Sequence, residues 1–101
     1  MVAVYRLTDS FPVDERYRFT SQLRRAVVSV PTNIVEGSKR RSRREFARFL
    51  EIAEASAAEV RDLLEQCIDV GLADRSVAAL ALEMAQIGLM IAALRKRILG
   101  Q

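Results

Sequence analysis

Between Lys39 and Glu45 the chain reads KRRSRRE, five cations in six positions closed by a carboxylate. Cations at that density do one kind of chemistry well: they hold phosphate, and arginine does so through a planar fork of donors that matches two phosphate oxygens at once. Arg25 and Arg48 extend the run, so Arg25, Lys39, Arg40, Arg41, Arg43, Arg44 and Arg48 form a candidate nucleic-acid-binding set. The plain alternative is a solvated charge run. Helix electrostatics argues against it. With Ser42 as cap, Arg43 and Arg44 fall in a first helical turn, where cations face the positive end of the helix dipole at a cost of ~0.3–1 kcal/mol each at low salt. Asp or Glu there would have given the same solubility with a gain.

A second stretch, SVPTNIVEG, brings Ser29 and Asn33 four residues apart, with Glu36 following. The structural reading is the better one. Pro31 frees a carbonyl inside a helix, an Asn amide or Ser hydroxyl nearby can satisfy such a group, and Glu36 can pair with a surrounding arginine. Gly37 then reads as the helix stop. Catalysis finds little to work with: there is no histidine, Cys67 falls on an apolar helix face, and no glycine-rich phosphate cradle is present. Most carboxylates lie on a solvated helix stripe, and no Cys/His or oxygen-ligand spacing suggests a metal. A non-enzyme without a cofactor is expected.

These residues need helices to position them. Few Gly and Pro, with abundant Ala, Leu, Arg and Glu, suit an all-α domain spanning all 101 residues, with a radius of gyration of roughly 13 Å if compact. A short first helix ends before TDSFP, where Asp9 or Ser10 can cap a second helix from about Pro12, with Asp14 and Glu15 at its positive end. Phe19, Leu23, Val27, Val30 and Ile34 mark its buried stripe through a kink at Pro31, to about Glu36. Ser42 and Glu45 form a capping box that opens a helix from Arg43 to Val70, stopped by Gly71. Its apolar residues, from Phe46 through Leu50, Ala57 and Leu64 to Ile68, occupy one arc of about 140°, opposite an acidic face. Asp74 or Ser76 can cap the last helix, about Ser76 to Leu99, in which Val77, Leu80, Met84, Ile87, Ile91, Leu94 and Ile98 keep three-four spacing.

Ala78, Leu82, Ala85, Leu89 and Ala92 add a second apolar stripe to that helix, more than one neighbour would cover. A homo-oligomer is therefore expected, with Leu82 and Leu89 as contacts. Arg95, Lys96 and Arg97 suit the negative end of the same helix. Arg24 and Arg25 point about 100° apart. One is expected to pair with acidic residues of the third helix and the other to join the basic surface, and the sequence leaves open which.

The net charge of +3 is unevenly spread, at +6 over residues 24–50 and −6 over residues 51–74. A single cysteine and no secretory pattern favour the reducing cytoplasm. Val77 to Leu94 would reach roughly 27 Å as a helix, near the ~30 Å of a bilayer core. Glu83 inside the run, its many small residues and the charge of the other segments argue against a membrane partner.

Phe11-Pro12, Glu15-Arg16-Tyr17, Gln22-Leu23-Arg24-Arg25-Ala26, Ser29-Val30-Pro31, Asn33-Ile34, Glu36-Gly37, Arg40, Ser42 and Glu45-Phe46 occur in order, and FLEIAEAS follows from Phe49 to Ser56. In this the chain resembles the bacterial four-helix-bundle proteins encoded in 23S ribosomal RNA intervening sequences. The resemblance implies an antiparallel up-down four-helix bundle and a ring-like homopentamer. It also implies kinship with basic, nucleic-acid-binding accessory proteins that accompany reverse transcriptases in diversity-generating retroelements. In that family a full first helix precedes the stretch matching VYRLT, whereas Met1 stands only three residues before Val4 here, so either the first helix is shortened, as expected here, or the natural start lies upstream. The reading is a non-catalytic accessory protein that binds nucleic acid, RNA or mixed RNA and DNA, through phosphate with little sequence preference. Its rival is a scaffold whose basic patch meets an acidic protein, such as a polymerase or reverse transcriptase.

Overall fold

The computed structural model describes residues 2–100. Met1, Gln101 and the side chains of Glu15, Arg16 and Tyr17 lie outside that description, and with them the expectation that Glu15 meets the positive end of a helix. Among the described residues the chain forms four α-helices and no strand: α1 (Val2–Asp9), α2 (Ser21–Ser38), α3 (Arg43–Asp69) and α4 (Ala78–Ile98). The all-α class and the short first helix are as the sequence predicts. α3 is the spine. It packs along both α2 and α4, while α1 folds against α2. Its 27 residues span ~40 Å, which accounts for a 44 Å long axis and a radius of gyration of 14.7 Å.

The buried face of α3 is Ala47, Leu50, Ala53, Ala57, Val60, Leu63, Leu64 and Cys67, close to the arc expected from its periodicity. α2 answers it with Leu23, Ala26, Val27 and Val30, α4 with Ala81, Met84 and Ile91, and α1 with Val4. Leu23, Leu50 and Leu64 are fully enclosed, each burial contributing about 1.5–3 kcal/mol.

The ends of α3 follow local chemistry. Ser42 is extended and its Oγ accepts from the Glu45 N–H at 3.0 Å. After Asp69 the chain turns at Gly71, whose φ of 82° is the left-handed conformation that glycine adopts without strain. Of the two candidate caps for the last helix, Asp74 acts, at the 3-10 turn that precedes α4. Its carboxylate accepts from the Ser76 hydroxyl and from the Ser76 N–H at 2.8 Å. Those two bonds, the hydroxyl foremost, hold its pKa below the ordinary 3.8. One 3-10 turn, Arg75–Val77, leads into α4.

The entry to α2 departs from expectation. Neither Asp9 nor Ser10 caps it, because Asp9 holds Arg24 at 2.7 Å and the Ser10 hydroxyl donates back to the Leu7 carbonyl at 2.6 Å, finishing α1. Regular helix begins at Ser21, after a 3-10 turn at Val13–Glu15 and a π-helical stretch at Arg16–Thr20. Phe11 and Phe19 are both buried, and the chain between them must leave α1 and join the axis of α2. A straight helix from Pro12 would not do both. Further on, α2 continues through Pro31 to Ser38.

Gly37 is therefore not the stop. It lies inside the helix, and a Cβ built on it would meet Phe49 Cβ at 2.7 Å and Phe46 Cδ1 at 2.8 Å. Glycine is needed there for the absence of a side chain, so that α2 and α3 can close on each other.

α4 is covered more narrowly than its sequence implies. Ile87 and Leu94, expected on the bundle stripe, are exposed, because α3 is the helix that packs along α4 and the covered line runs through Ala81, Met84 and Ile91, with Leu80 and Ile98 half-buried beside it. Leu82, Leu89 and Met90 are 61%, 72% and 71% exposed. Arg75–Ile98 is long and apolar enough to cross a membrane by length and composition. It is also tied to α3 by an ion pair from Arg95 Nε to Glu54 Oε1 at 3.2 Å, which gives Arg95 a role beyond the helix dipole.

Replacing Gly37 with Ala should destabilise the fold. The methyl gains up to about 1 kcal/mol in helix propensity but is forced against the Cβ of Phe49, which cannot swing away, and overpacking of this kind costs ~1–3 kcal/mol. Urea denaturation followed by circular dichroism should show a net loss of about 1 kcal/mol; an unchanged or raised midpoint would contradict the close crossing.

Candidate nucleic-acid interface

The turn between α2 and α3 carries the basic run. α2 closes with the Lys39 N–H on the Glu36 carbonyl and the Arg40 N–H on the Gly37 carbonyl, and Ser42 opens α3 three residues after Lys39. Lys39 and Arg40 are partly neutralised here, since Lys39 Nζ and Arg40 Nη2 each lie 3.8 Å from a Glu36 carboxylate oxygen. The Arg40 guanidinium also sits 4.8 Å from the centroid of the Phe49 ring, a cation–π contact. Glu36 thus pairs as expected, through long exposed contacts of small energetic weight.

The remaining cations behave differently. Arg41, Arg43, Arg44 and Arg48 are exposed, and among the described residues their side chains make no hydrogen bond or ion pair. Arg43 and Arg44 occupy the first turn of α3 together with Glu45. The local structure accounts for Lys39 and Arg40 and leaves these four arginines available.

Arg25 does not join them. It lies 14 residues before Lys39, ~21 Å along α2, and lines a separate open groove of about 440 Å³ with Gln22, Ala26, Ser29, Ser56 and Glu59. Arg24 is the structural arginine of the pair, but its partner is α1 and not α3. Its Nε donates to Thr8 Oγ1 at 2.9 Å, its Nη2 reaches Asp9 at 2.7 Å, and the guanidinium lies 4.7 Å from the Tyr5 ring centroid. Thr8 is buried, and its hydroxyl donates to the Val4 carbonyl at 2.9 Å. Sequence spacing gave no sign of this clamp, since Asp9 and Arg24 stand 15 residues apart.

Ser29 and Asn33 form part of a relay across the helix pair. Asn33 Nδ2 donates to the Ser29 carbonyl at 2.8 Å and to Ser29 Oγ at 2.9 Å. Ser29 Oγ stands 2.7 Å from Ser56 Oγ, whose proton goes to the Ile52 carbonyl at 3.0 Å. The direction is thereby fixed: Ser29 donates to Ser56. The carbonyl that Asn33 satisfies is that of Ser29, whereas Pro31 deprives the carbonyl of Val27, so the expected repair is displaced by one helical position pair.

One feature of the turn lay outside the sequence reading. Arg40, Glu45, Arg48, Phe49 and Ile52 line an open groove of about 360 Å³, its residues drawn from both sides of the turn. The sequence signal was the aromatic residue following the arginines in REFARF. No group of three or more Asp, Glu, Cys or His residues is placed to hold a metal among the described residues.

Short connections, a long central helix and a cationic turn define a small all-α bundle protein with a basic end. The family model described as 23S rRNA-intervening sequence protein matches residues 1–93, and the chain belongs to that family. No curated protein matches it.

Asn33→Ala should act on stability. It removes two hydrogen bonds and leaves Ser29 Oγ without its donor, a loss of about 1–2 kcal/mol by urea denaturation. RNA affinity measured in parallel should stay within experimental error; a larger effect on affinity than on stability would make Asn33 a contact residue.

Proposed function

We propose that this protein is a non-catalytic accessory protein that holds RNA by its phosphates at the α2–α3 turn and acts as a homo-oligomer in the cytoplasm. The observation that carries this reading is the set of four exposed, unpaired arginines, Arg41, Arg43, Arg44 and Arg48, two of them at a helix end where cations are disfavoured. Lys39 and Arg40 add to the same local field. The family's description ties these proteins to intervening sequences of 23S rRNA, and on that association RNA is the nucleic acid proposed. Sequence preference should be weak, because phosphate contacts position a protein without reading base edges. Arg25, remote from the turn, contributes through its own groove or through a neighbouring subunit.

The exposed apolar face of α4 supports self-association through Leu82 and Leu89, with the five subunits implied by the family resemblance; this accounts for the face without a membrane. Repetition of the basic turn around such an assembly raises avidity without new contacts. A scaffold whose arginines meet an acidic protein, such as a reverse transcriptase, is the competing reading.

Fluorescence anisotropy should show RNA binding at low salt, with a log–log salt slope of about −3 if four phosphates are neutralised. Replacing Arg41, Arg43, Arg44 and Arg48 together with Gln should abolish it while the helical spectrum is unchanged. Absence of binding by the intact protein at low salt leaves the scaffold as the function.

Light scattering at micromolar concentration should give a mass several times 11.4 kDa. Leu82→Asp with Leu89→Asp should return it to a monomer with the helical spectrum retained. A wild-type monomer would remove the oligomer from the proposal.

A further inference from the structure

Phosphate binding does not account for the groove beside the basic turn. Two of the residues lining it, Arg40 and Arg48, are cations suited to a phosphate; two others, Phe49 and Ile52, are apolar, and Glu45 is a carboxylate that would repel one. A free anion has no use for the apolar pair. A paired duplex presents phosphates on its outside while its bases stay stacked, so it would reach the arginines and leave the groove empty. An acidic peptide would pair with the arginines but meet Glu45 with like charge.

The occupant that fits every lining residue is a flat, uncharged ring with polar edges, carried on a chain of phosphates. We infer that the groove takes one unpaired base of a single RNA strand, lying against Phe49 and Ile52. Glu45 accepts from a base N–H, and Arg40 and Arg48 hold the flanking phosphates. This rests on the phosphate-binding reading above and narrows it to single strands.

Two further observations support it. Phe49 is anchored at its base, where its Cβ sits against the backbone of Gly37, and its ring already presents a face to the Arg40 guanidinium. Arg40 is exchangeable. Its ion pair with Glu36 is long, at 3.8 Å, and its guanidinium already occupies the ring face that a base would take. When the base replaces it, Arg40 moves to the adjoining phosphate and exchanges one set of weak contacts for a charge-assisted one. Aromatic and guanidinium surfaces accept any base by stacking, and each of the four bases carries an N–H that Glu45 can accept from, in keeping with weak sequence preference.

The test uses the full chain and three labelled probes: a short uridine-rich RNA strand, an RNA duplex of the same length and a single DNA strand. Anisotropy at low salt should show the single RNA strand bound on the order of 10-fold more tightly than the duplex. Phe49→Leu should lower single-strand affinity to the duplex level and leave duplex affinity unchanged. Because the chain has no tryptophan, Phe49→Trp supplies a lone reporter whose emission should be quenched by the single RNA strand and not by the duplex or by polyglutamate. Equal quenching by single-stranded DNA upholds the base site, and the strand with the lower Kd identifies its source. Equal affinity for strand and duplex, or a Phe49→Trp signal that polyglutamate reproduces, overturns the inference while leaving phosphate binding intact. Binding of none of the probes removes both.

Discussion

The close crossing of α2 on α3 is the constraint to which the rest of the molecule answers. At one end Gly37 gives up its side chain so that Phe46 and Phe49 can lie on the backbone of α2. Along the crossing Ala26 of α2 is buried, and Ser29 and Ser56 bridge the two helices through their hydroxyls. Small side chains allow the approach, and the relay from Asn33 to the Ile52 carbonyl satisfies the half-buried hydroxyls, whose partial desolvation would otherwise cost stability. The turn that joins the two helices inherits its geometry from this crossing. It is too short to set a direction of its own, so Arg40 is delivered over the Phe49 ring by the packing beneath it.

A spine with one helix on either side has an asymmetric exterior. α2 is tied back at its start by α1, where Arg24 links Thr8, Asp9 and the Tyr5 ring. α4 has α3 to lie on and one ion pair to Glu54, and its outer face keeps Leu82, Leu89 and Met90 in solvent. An α-helix with apolar residues on most of its circumference needs neighbours on more than one side. Here one side is supplied within the chain.

The electrostatics divide in the same way. Cations that have a structural task are found paired: Arg24 with α1, Arg95 with α3, and Lys39 and Arg40 with Glu36. Four arginines without one, Arg41, Arg43, Arg44 and Arg48, lie at or beside the α2–α3 turn, and two of them, Arg43 and Arg44, stand in a first helical turn that disfavours them. The groove beside the turn takes Arg40 and Arg48 from the same basic end.

The sequence by itself determined what depends on neighbours along the chain. Helical periodicity placed Leu63 and Leu64 inside, the Ser42 cap and Gly71 turn bounded α3, and the density of arginine at residues 39–44 marked the basic end, because these are set by spacing of a few residues. The tertiary structure decided what depends on distance between helices. Gly37 has the same local signature whether it ends a helix or admits a neighbour, and only the approach of Phe46 and Phe49 separates the two. Arg24 and Arg25 are indistinguishable neighbours until α1 arrives beside one of them, and Arg25 leaves the basic cluster because 14 helical residues carry it down the axis. Side-chain chemistry is written residue by residue, whereas partners across a helix interface are chosen by packing, and packing is a property of the whole chain.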